Sequence, residues 1–222
     1  MPLALVTGAS RGLGHAVSHL LASQGWELVL DARDGAALRA AAPAGAAVVA
    51  GDVADPSHRE ALRAEVARHG RLDLLVHNAS TLGPTPLPRL VELRIEDLRA
   101  TFETNALAPL ALTQLLLPHL AGAVVAITSD AATGAYDGWG GYGASKAALE
   151  RLMAVLAVEH PELRVSCLDP GEMQTRMLAD ACPGEDLSDR SLPEAVAPAV
   201  LRLLSLPSGR HAAADLLLGA AR

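Results

Sequence analysis

Short apolar runs alternate with longer amphipathic stretches along the chain, and this alternation limits the fold more than any other feature of the sequence. The runs are rich in Val, Leu and Ala and have the length of buried strands, while the stretches between them are long enough for crossover helices. Because right-handed crossovers return each strand parallel to the last, we expect an α/β fold with a central, mostly parallel sheet that is doubly wound, with helices on both faces. Strands are predicted at Leu3–Val6, Glu27–Leu30, Ala46–Ala50, Leu72–Val76, Ala123–Thr128 and Arg164–Leu168, and helices at Leu13–Gln24, Asp34–Ala42, Pro56–His69, Ile95–Leu120 and Tyr142–His160.

Length, charge and cysteine usage argue against several classes of protein. The 222 residues are enough for one domain, so residues 1–222 are predicted to form a single domain. A net charge of -7 and a pI near 5.6 disfavour nucleic-acid binding. No apolar run approaches the ~20 residues that span a bilayer, and no leader-like segment opens the chain, so a cytoplasmic protein without membrane contact is expected. Cys167 and Cys182 have no redox spacing and the histidines are scattered, which predicts no metal site.

The segment from Thr7 to Gly14 is rich in small residues, follows the first predicted strand and opens the first predicted helix. Small residues let the chain turn sharply and let a pyrophosphate approach the backbone, and the amides at the helix start stabilise its charge. The glycine spacing differs from the Gly-x-Gly-x-x-Gly fingerprint, and a strand-to-helix turn without a ligand is the alternative interpretation. The residues predicted to contact a dinucleotide here are Gly8, Ser10, Arg11, Gly12, Leu13 and Gly14.

A second group of residues indicates acid-base chemistry. Tyr142 and Lys146 are four residues apart on a predicted helix, so an ammonium can lie near both a phenol and a ribose. That charge is expected to lower the pKa of the phenol. Ser129, at the end of the fifth predicted strand, is placed to donate a hydrogen bond to a substrate oxygen. Taken alone, the Tyr and Lys pair is also compatible with a solvated helix face.

Together these motifs resemble the short-chain dehydrogenase/reductase family, in order, over nearly the whole chain. The resemblance implies a Rossmann fold and an NAD(P)(H)-dependent oxidoreductase that interconverts a carbonyl and an alcohol by hydride transfer. It is carried by Thr7 to Gly14, Asp52, Asn78-Ala79-Ser80, Asn105, Ser129 thirteen positions before Tyr142, Lys146, and Pro170-Gly171-x-x-x-Thr175.

The resemblance also implies a role for each matched residue. Tyr142 would be the general acid in reduction and the base in oxidation, Ser129 would orient the carbonyl, and Lys146 would bind ribose and lower the phenol pKa. Asn105 would help to hold a proton-relay water. The further cofactor contacts it implies are Asp52, Val53, Asn78, Tyr142, Lys146, Pro170, Gly171 and Thr175.

Two features depart from the family pattern. Ser80 stands where glycine is usual, which adds a small side chain beside the cofactor. The segment from Ala213 to Leu218 is expected to form the last strand, but Arg222 follows without the usual glycine-rich closing tail, which puts subunit packing through that edge in doubt. The covering segment from Glu172 to Leu192 is short, so an open substrate pocket is expected.

The end of the second strand decides which dinucleotide is expected. A carboxylate there would bind the adenosine ribose and repel a 2'-phosphate, but the aligned residue is Ala32. Strand alternation turns Asp31 to the other face, while Arg33 and Arg11 can clasp a phosphate. NADP(H) is therefore predicted over NAD(H), and a shift of register by one residue, which would bring Asp31 to the ribose, would favour NAD(H). Solvated surface charge is the alternative interpretation of each arginine.

The substrate is expected to be a small carbonyl or alcohol compound. Tyr136 and Trp139 lie close in sequence to Ser129 and Tyr142 and would form an apolar wall for a hydrophobic or cyclic compound, with Met173 from the covering segment adding apolar surface. Packing of the loop or of a subunit contact explains the two aromatic residues equally well.

Two other functions and one assembly remain open on sequence alone. A sensor or scaffold could bind the nucleotide without turning it over, because a fold does not guarantee activity. A nucleotide-sugar epimerase or dehydratase uses a similar Tyr and Lys pair, although its glycine spacing and its larger carboxyl-terminal domain are absent here. Apolar faces on the long helix from Ile95 and on the helix from Tyr142 indicate a homodimer or homotetramer, although core packing could also explain them.

Overall fold

The computed structural model describes residues 1–218, and residues 219–222 of the predicted domain lie outside the described part. Within the described residues, all strands belong to one sheet. The strands are β1 (Leu3–Val6), β2 (Glu27–Ala32), β3 (Ala47–Ala50), β4 (Leu72–His77), β5 (Leu120–Ile127), β6 (Arg164–Asp169) and β7 (Gly209–Ala212). The helices are α1 (Gly12–Ser23), α2 (Gly35–Ala41), α3 (Pro56–His69), α4 (Ile95–Phe102), α5 (Ala108–Leu116), α6 (Gly140–Glu159), α7 (Arg176–Ala181), α8 (Pro193–Val196), α9 (Pro198–Leu203) and α10 (Ala213–Leu218).

The sheet confirms the predicted fold class. Its order is β3-β2-β1-β4-β5-β6-β7, and all six strand pairs are parallel. The chain winds outward from β1 toward β3, then returns to the other side of β1 with β4 and continues to β7. The order therefore reverses between β1 and β4, and in open parallel sheets ligands bind in the crevice that this reversal leaves at the carboxyl ends of the strands.

Strand alternation divides the apolar interior between the two faces of the sheet. Ala4 and Val6 of β1 pack on one face with α1, α2, α8 and α9, whereas Leu3 and Leu5 pack on the other face with α3, α5 and α6. Aliphatic side chains fill both layers, as expected for a chain with only five aromatic residues. Since helices cover both faces, a binding site can form at the carboxyl ends of the strands, which the helices leave open.

The prediction of a single long helix from Ile95 to Leu120 is wrong. The chain there forms α4, then a π-helical segment from Glu103 to Leu107, then α5, and Leu120 already begins β5. The apolar pattern continues through all of these elements, so periodicity alone did not separate them. The π-helical segment carries Asn105, one of the predicted site residues.

The last strand was also assigned to the wrong residues. The segment from Ala213 to Leu218 forms α10, and the last strand is β7, which pairs with β6 from Ser166 to Asp169. β7 lies at the sheet edge with its first half exposed, so it shows no apolar run. Smaller differences are that β2 extends two residues beyond Leu30 and that β5 ends at Ile127, which leaves Thr128 outside the strand.

Candidate active site

A cavity of about 920 Å³ opens at the carboxyl ends of the strands. Six connections contribute to its wall: the turn after β1, the end of β2, the loops after β3, β4 and β5, and the segment after β6. Nearly all of the predicted site residues line this one cavity. Gly14 and Asn105 are the exceptions, and both lie behind the wall.

The turn between β1 and α1 approaches the loop after β4 so closely that glycine is required. Gly8 has φ +68° and Gly12 has φ +55°, which L side chains rarely adopt. A Cβ at Gly8 would lie 2.9 Å from Ala79 Cα. The absence of side chains leaves the backbone of this turn open to the cavity.

Asn78 lines the cavity and holds this turn in place through its side chain. Its Nδ2 donates hydrogen bonds to the carbonyl oxygens of Thr7 (2.8 Å) and Gly8 (3.1 Å). In return, the amides of Asn78 and Ala79 each donate to Thr7 Oγ1 at 3.0 Å. The ends of β1 and β4 are thus tied across the point where the sheet order reverses, which fixes the shape of the turn.

The start of α1 fits the diphosphate of a dinucleotide. The residue that precedes it, Arg11, has extended backbone angles and makes no side-chain cap, and the first turn carries no acidic residue. Because the first amides of a helix lack intrahelical partners and carry partial positive charge, such an end binds anions. Thr175 lies against the same turn, with its Cγ2 3.6 Å from where a Cβ of Gly12 would be.

The adenosine end of the cavity carries two free cations. Arg11 and Arg33 are exposed and line the cavity, and neither forms a salt bridge with any residue in the described part of the chain. Asp31 is turned to the opposite side of β2 from Ala32, as alternation predicts, and its carboxyl Oδ1 lies 2.6 Å from Nε2 of His58 on α3. At the end of β2 the chain therefore presents the Arg33 guanidinium, while the Asp31 carboxyl is occupied by His58.

Asp52 and Val53 also line the cavity, on the loop after β3. The Asp52 carboxylate accepts a hydrogen bond from the Ala54 amide at 2.9 Å, and the Val53 carbonyl accepts one from Arg59 at 2.6 Å. These contacts hold the loop rigidly against the start of α3. The placement agrees with the adenine contact that the resemblance implies.

Tyr142 and Lys146 lie together in the wall of the cavity. Their side chains project from α6 into the crevice, and the Lys146 ammonium nitrogen is 5.6 Å from the centroid of the Tyr142 ring. That ammonium donates a 2.8 Å hydrogen bond to the Ile127 carbonyl at the end of β5. Only 7% of Tyr142 and 2% of Lys146 is exposed, so both polar groups act in a largely dehydrated environment.

Burial decides how these groups titrate. It raises the pKa of Tyr142 to about 12, an effect that the charges of Asp169 and Asp130 increase and that hydrogen bonds with the Ser80 and Ser129 hydroxyls oppose. It also lowers the pKa of Lys146 to about 8. The expected depression of the phenol pKa by Lys146 is therefore not present among the chain's own groups. At neutral pH the phenol keeps its proton and is a donor.

Ser129 begins the loop after β5, within reach of Tyr142. Its hydroxyl accepts a 3.1 Å hydrogen bond from the Ala131 amide and donates one of 2.9 Å to Asp130 Oδ1. The other Asp130 oxygen accepts the hydroxyl of Tyr136 at 3.0 Å. Asp130 was not anticipated from the sequence, because a carboxylate in a loop gives no pattern that distinguishes it from surface charge.

Asn105 lies behind the catalytic group with all of its side-chain hydrogen bonds satisfied. Its Nδ2 donates to the Thr81 carbonyl (2.8 Å) and to Ser145 Oγ (2.9 Å), and its Oδ1 accepts from Ser80 Oγ (3.1 Å) and the Thr81 amide (2.9 Å). The side chain thus joins the loop after β4 to α6. Both of its amide hydrogens are used, so the side chain offers no free donor to a further group.

The predicted apolar wall is divided between two places. Trp139 packs edge-on against Tyr142, with ring centroids 5.6 Å apart, whereas 52% of Tyr136 is exposed. Met173 lines the cavity but packs against the core on the α1 side, and Met177 of α7 joins Tyr142 and Trp139 in a separate apolar cluster. The sequence offered no signal for Met177, because α7 was not predicted.

An arginine on the edge strand supports the floor of the site. Arg210 of β7 donates to Glu150 Oε1 (2.9 Å), to Asp169 Oδ2 (2.9 Å) and to the Ser129 carbonyl (3.4 Å). Asp169 precedes Pro170 and Gly171, which line the cavity, and Gly171 has φ +71°. One guanidinium therefore joins the ends of β5, β6 and β7 to α6.

Metal binding and membrane insertion both leave marks in a structure that can be compared with residues 1–218. Within residues 1–218 no group of three His, Cys, Asp or Glu side chains could hold a metal ion. In the same residues no helix combines the length and the apolar character needed to cross a membrane.

The comparisons agree with each other. The model of the short chain dehydrogenase family matches residues 2–186. The uncharacterised oxidoreductase YciK of Escherichia coli (strain K12) is 32% identical over 229 residues, which cover 93% of this chain and 87% of YciK. Sepiapterin reductase of Rattus norvegicus is 36% identical over 195 residues, which cover 78% of this chain and 74% of that enzyme.

A solved structure agrees with the fold over almost the full length of both chains. The crystal structure of a short chain dehydrogenase from Shigella flexneri complexed with NADP has a TM-score of 0.90 and 29% identity, and it covers 96% of this chain and 97% of that one. The family match, the sheet order and the placement of Tyr142 and Lys146 in one cavity lead to the same assignment. The chain belongs to the short-chain dehydrogenase family of oxidoreductases.

Proposed function

We propose that this chain is an NADP(H)-preferring oxidoreductase that interconverts a small carbonyl compound and its alcohol, with residues 1–222 acting as one domain. The observation that carries the proposal is the buried Tyr142 hydroxyl, which lies beside the hydroxyls of Ser80 and Ser129 and one helical turn from Lys146. A bound nicotinamide dinucleotide supplies the hydride in reduction and accepts it in oxidation.

In reduction, Tyr142 gives its phenolic proton to the substrate oxygen. Its pKa of about 12 means that the proton is present at neutral pH, before the substrate binds. Ser129 donates a hydrogen bond to the same oxygen as negative charge develops there, for which its hydroxyl must leave Asp130. Lys146 holds positive charge near the phenol, which favours the phenolate that remains after proton transfer.

The residues that would hold the dinucleotide follow the cavity from one end to the other. The turn from Gly8 to Gly14 and the start of α1 would bind the diphosphate, and Asp52 and Val53 would bind adenine. Lys146 would bind the ribose next to the nicotinamide, with Pro170, Gly171 and Thr175 seating the ring.

The preference for NADP(H) rests on charge. Arg11 and Arg33 are free of protein partners in the described part of the chain, and each can donate to a 2'-phosphate. The structural relative from Shigella flexneri is complexed with NADP, which supports the same choice.

We assign the substrate site to the part of the cavity around Ser129 and Tyr142. Trp139 and Met173 give it apolar surface, and Tyr136 stands at its exposed side. A hydrophobic carbonyl compound fits these walls, because apolar surface with a few polar groups is typical of small-molecule pockets.

We also propose that the protein forms a homodimer or homotetramer in the cytoplasm. Leu107 on the π-helical segment and Val155 and Val158 on α6 are exposed, and exposed apolar side chains on helices are common at subunit contacts. Light scattering on the purified protein tests the assembly, with dissociation expected for Val158→Asp. A wild-type protein that is monomeric would contradict it.

The oxidoreductase proposal is tested by NADPH consumption with a panel of ketones, aldehydes and quinones. Tyr142→Phe removes only the hydroxyl, and we expect kcat/KM for the best compound to fall by roughly 10²–10⁴, the usual contribution of general acid catalysis. NADPH binding, measured by titration, should be retained. Ser23→Ala, which removes a hydroxyl at the end of α1 outside the cavity, is the control and should stay within about threefold of the wild type.

Two outcomes would contradict the proposal in different ways. If Tyr142→Phe keeps nearly full activity, another group supplies the proton. If the wild type binds NADPH but consumes it with no member of the panel, the chain is a nucleotide-binding protein without turnover.

A further inference from the structure

The buried His58 lies behind the adenosine end of the cavity and is hydrogen-bonded to Asp31 in the cavity wall. His58 Nε2 lies 2.6 Å from Asp31 Oδ1, and 6% and 1% of the two residues is exposed. His58 is on the first turn of α3, and Asp31 is near the end of β2, so the contact joins a helix to the strand beside the ribose end of the cavity.

Gly51 leaves the space that the imidazole ring occupies. A Cβ at Gly51 would lie 2.5 Å from His58 Cγ, so any side chain there would displace the ring. The Gly51 amide donates to the Ala32 carbonyl at 3.0 Å, which holds the loop after β3 against the end of β2. Both Gly51 and Asp31 line the cavity, whereas His58 lies behind it.

The Asp31 carboxyl is occupied by partners within the protein. Besides His58, the Gly8 amide of the glycine turn donates a hydrogen bond to it. Burial raises the pKa of Asp31, and the hydrogen bond and charge of His58 oppose that rise. A buried carboxyl with these partners is held in place and is not offered to a ligand.

Turned toward the cavity, the same carboxylate would have the opposite effect. It would lie beside Arg33, which is two residues further along the chain. There it would form an ion pair with the guanidinium that we assign to the 2'-phosphate. A carboxylate at the end of the second strand also accepts hydrogen bonds from the ribose hydroxyls of NAD(H) and repels a 2'-phosphate.

We propose that His58 is a positioning residue that sets the preference for NADP(H), because it holds Asp31 away from the ribose site and leaves Arg33 free. The proposal rests on the NADP(H) preference proposed above and adds the residue that maintains it. His58 does not touch the ligand itself, so its effect should appear in the choice between dinucleotides and not in the chemical step.

The test compares kcat/KM for NADPH and for NADH in wild type, His58→Ala, Asp31→Asn and the double variant. We expect His58→Ala to reduce the NADPH:NADH ratio by at least about tenfold, because the freed carboxylate repels the 2'-phosphate. The double variant should recover the ratio to within about threefold of wild type, since the charge is then gone. His69→Ala is the matched control: it removes a histidine paired with Glu27 at the other end of α3 and should leave the ratio unchanged.

Binding of 2'-phosphorylated and unphosphorylated adenosine nucleotides, followed by calorimetry, should show the same change without turnover. A loss of activity that is equal for both dinucleotides would indicate a structural role only and would overturn the proposal. Should His58→Ala not fold, Gly51→Ala displaces the imidazole from the other side and should lower the same ratio, with Asp31→Asn restoring it.

The two proposals fail in different ways. A wild-type protein that does not prefer NADPH contradicts the proposed cofactor. A wild type that prefers NADPH, together with a His58→Ala variant that keeps the preference, leaves the cofactor assignment intact and overturns the role of His58.

Discussion

The Lys146 ammonium nitrogen lies 5.6 Å from the centroid of the Tyr142 ring, one turn further along α6, and both side chains are almost completely buried. Burial acts on the two groups in opposite directions, because it disfavours the charged form of each. The pKa of Lys146 falls to about 8 and that of Tyr142 rises to about 12. At neutral pH Tyr142 is therefore a proton donor that lies beside the Lys146 cation, and Lys146 loses its proton in mildly alkaline solution.

Lys146 should make the stability of the fold depend on pH. Its pKa is lower in the folded protein (about 8) than its ordinary value of 10.5, so the unfolded chain binds more protons between these values and stability rises with pH across that window. From pH 7 to pH 10.5 the wild type should gain up to about 3 kcal/mol from this group. Lys146→Met lacks the gain, and urea unfolding of both proteins across the window measures the difference. Parallel stability curves would contradict the prediction.

Asp130 should control the pH at which the alcohol is oxidised. Its charge helps to raise the pKa of Tyr142, so Asp130→Asn should lower that pKa. Oxidation needs the phenolate, so the oxidation rate at a fixed pH below the pKa should rise, by roughly threefold for each half unit that the pKa falls. Initial rates of alcohol oxidation between pH 7 and pH 10, the range over which the deprotonated fraction is small, provide the measurement. Asp180→Asn removes a charge from the same cavity and is the control, with a smaller change expected.

Arg33 should distinguish the two dinucleotides. Arg33→Ala removes a cation that we assign to the 2'-phosphate, and a hydrogen bond to a charged group contributes about 1.5–3 kcal/mol, so KM for NADPH should rise by roughly tenfold to a hundredfold. KM for NADH should change little. Arg39→Ala on α2 is the matched control, because Arg39 is not in the cavity wall. Equal effects of Arg33→Ala on both dinucleotides would refute the assignment.

Gly8 should tolerate substitution far less than a glycine of similar conformation elsewhere. Gly8 and Gly25 both have positive φ, +68° and +80°, but a Cβ at Gly25 meets no atom within 4 Å. Gly25→Ala should cost only the conformational strain, about 1–2 kcal/mol. Gly8→Ala adds overlap with Ala79 Cα and should cost roughly 2–5 kcal/mol in total. The free energies of unfolding in urea test the difference, and similar values for the two variants would contradict the close approach.

The central part of the fold and the proximity of Tyr142 and Lys146 could be predicted because they depend on local patterns. Buried parallel strands are continuous apolar runs, and a spacing of four residues places Tyr142 and Lys146 on one helix face. Strand alternation also predicted that Asp31 and Ala32 face opposite sides. It could not show that Asp31 would be bound by His58, because that contact joins residues far apart in the sequence.

The remaining errors have physical causes. The run from Ala213 to Leu218 is apolar enough for a strand, but β7 is an exposed edge and needs no apolar run, so the pattern selected the wrong residues. The π-helical segment differs from an α-helix by one extra residue in the hydrogen-bonded turn and leaves the apolar pattern unchanged. The raised pKa of Tyr142 depends on burial, which spacing along one helix does not reveal.

Arg210 lies late in the chain, and this position determines when the floor of the site can be completed during synthesis. Every residue assigned to the dinucleotide and to the chemistry precedes it in the chain, yet its guanidinium is the shared partner of Glu150, Asp169 and the Ser129 carbonyl. A nascent chain that has emerged only as far as β6 therefore contains the whole catalytic set without the cation that braces its floor. The cation that completes the floor of the proposed reaction centre comes from β7, the last strand along the described chain.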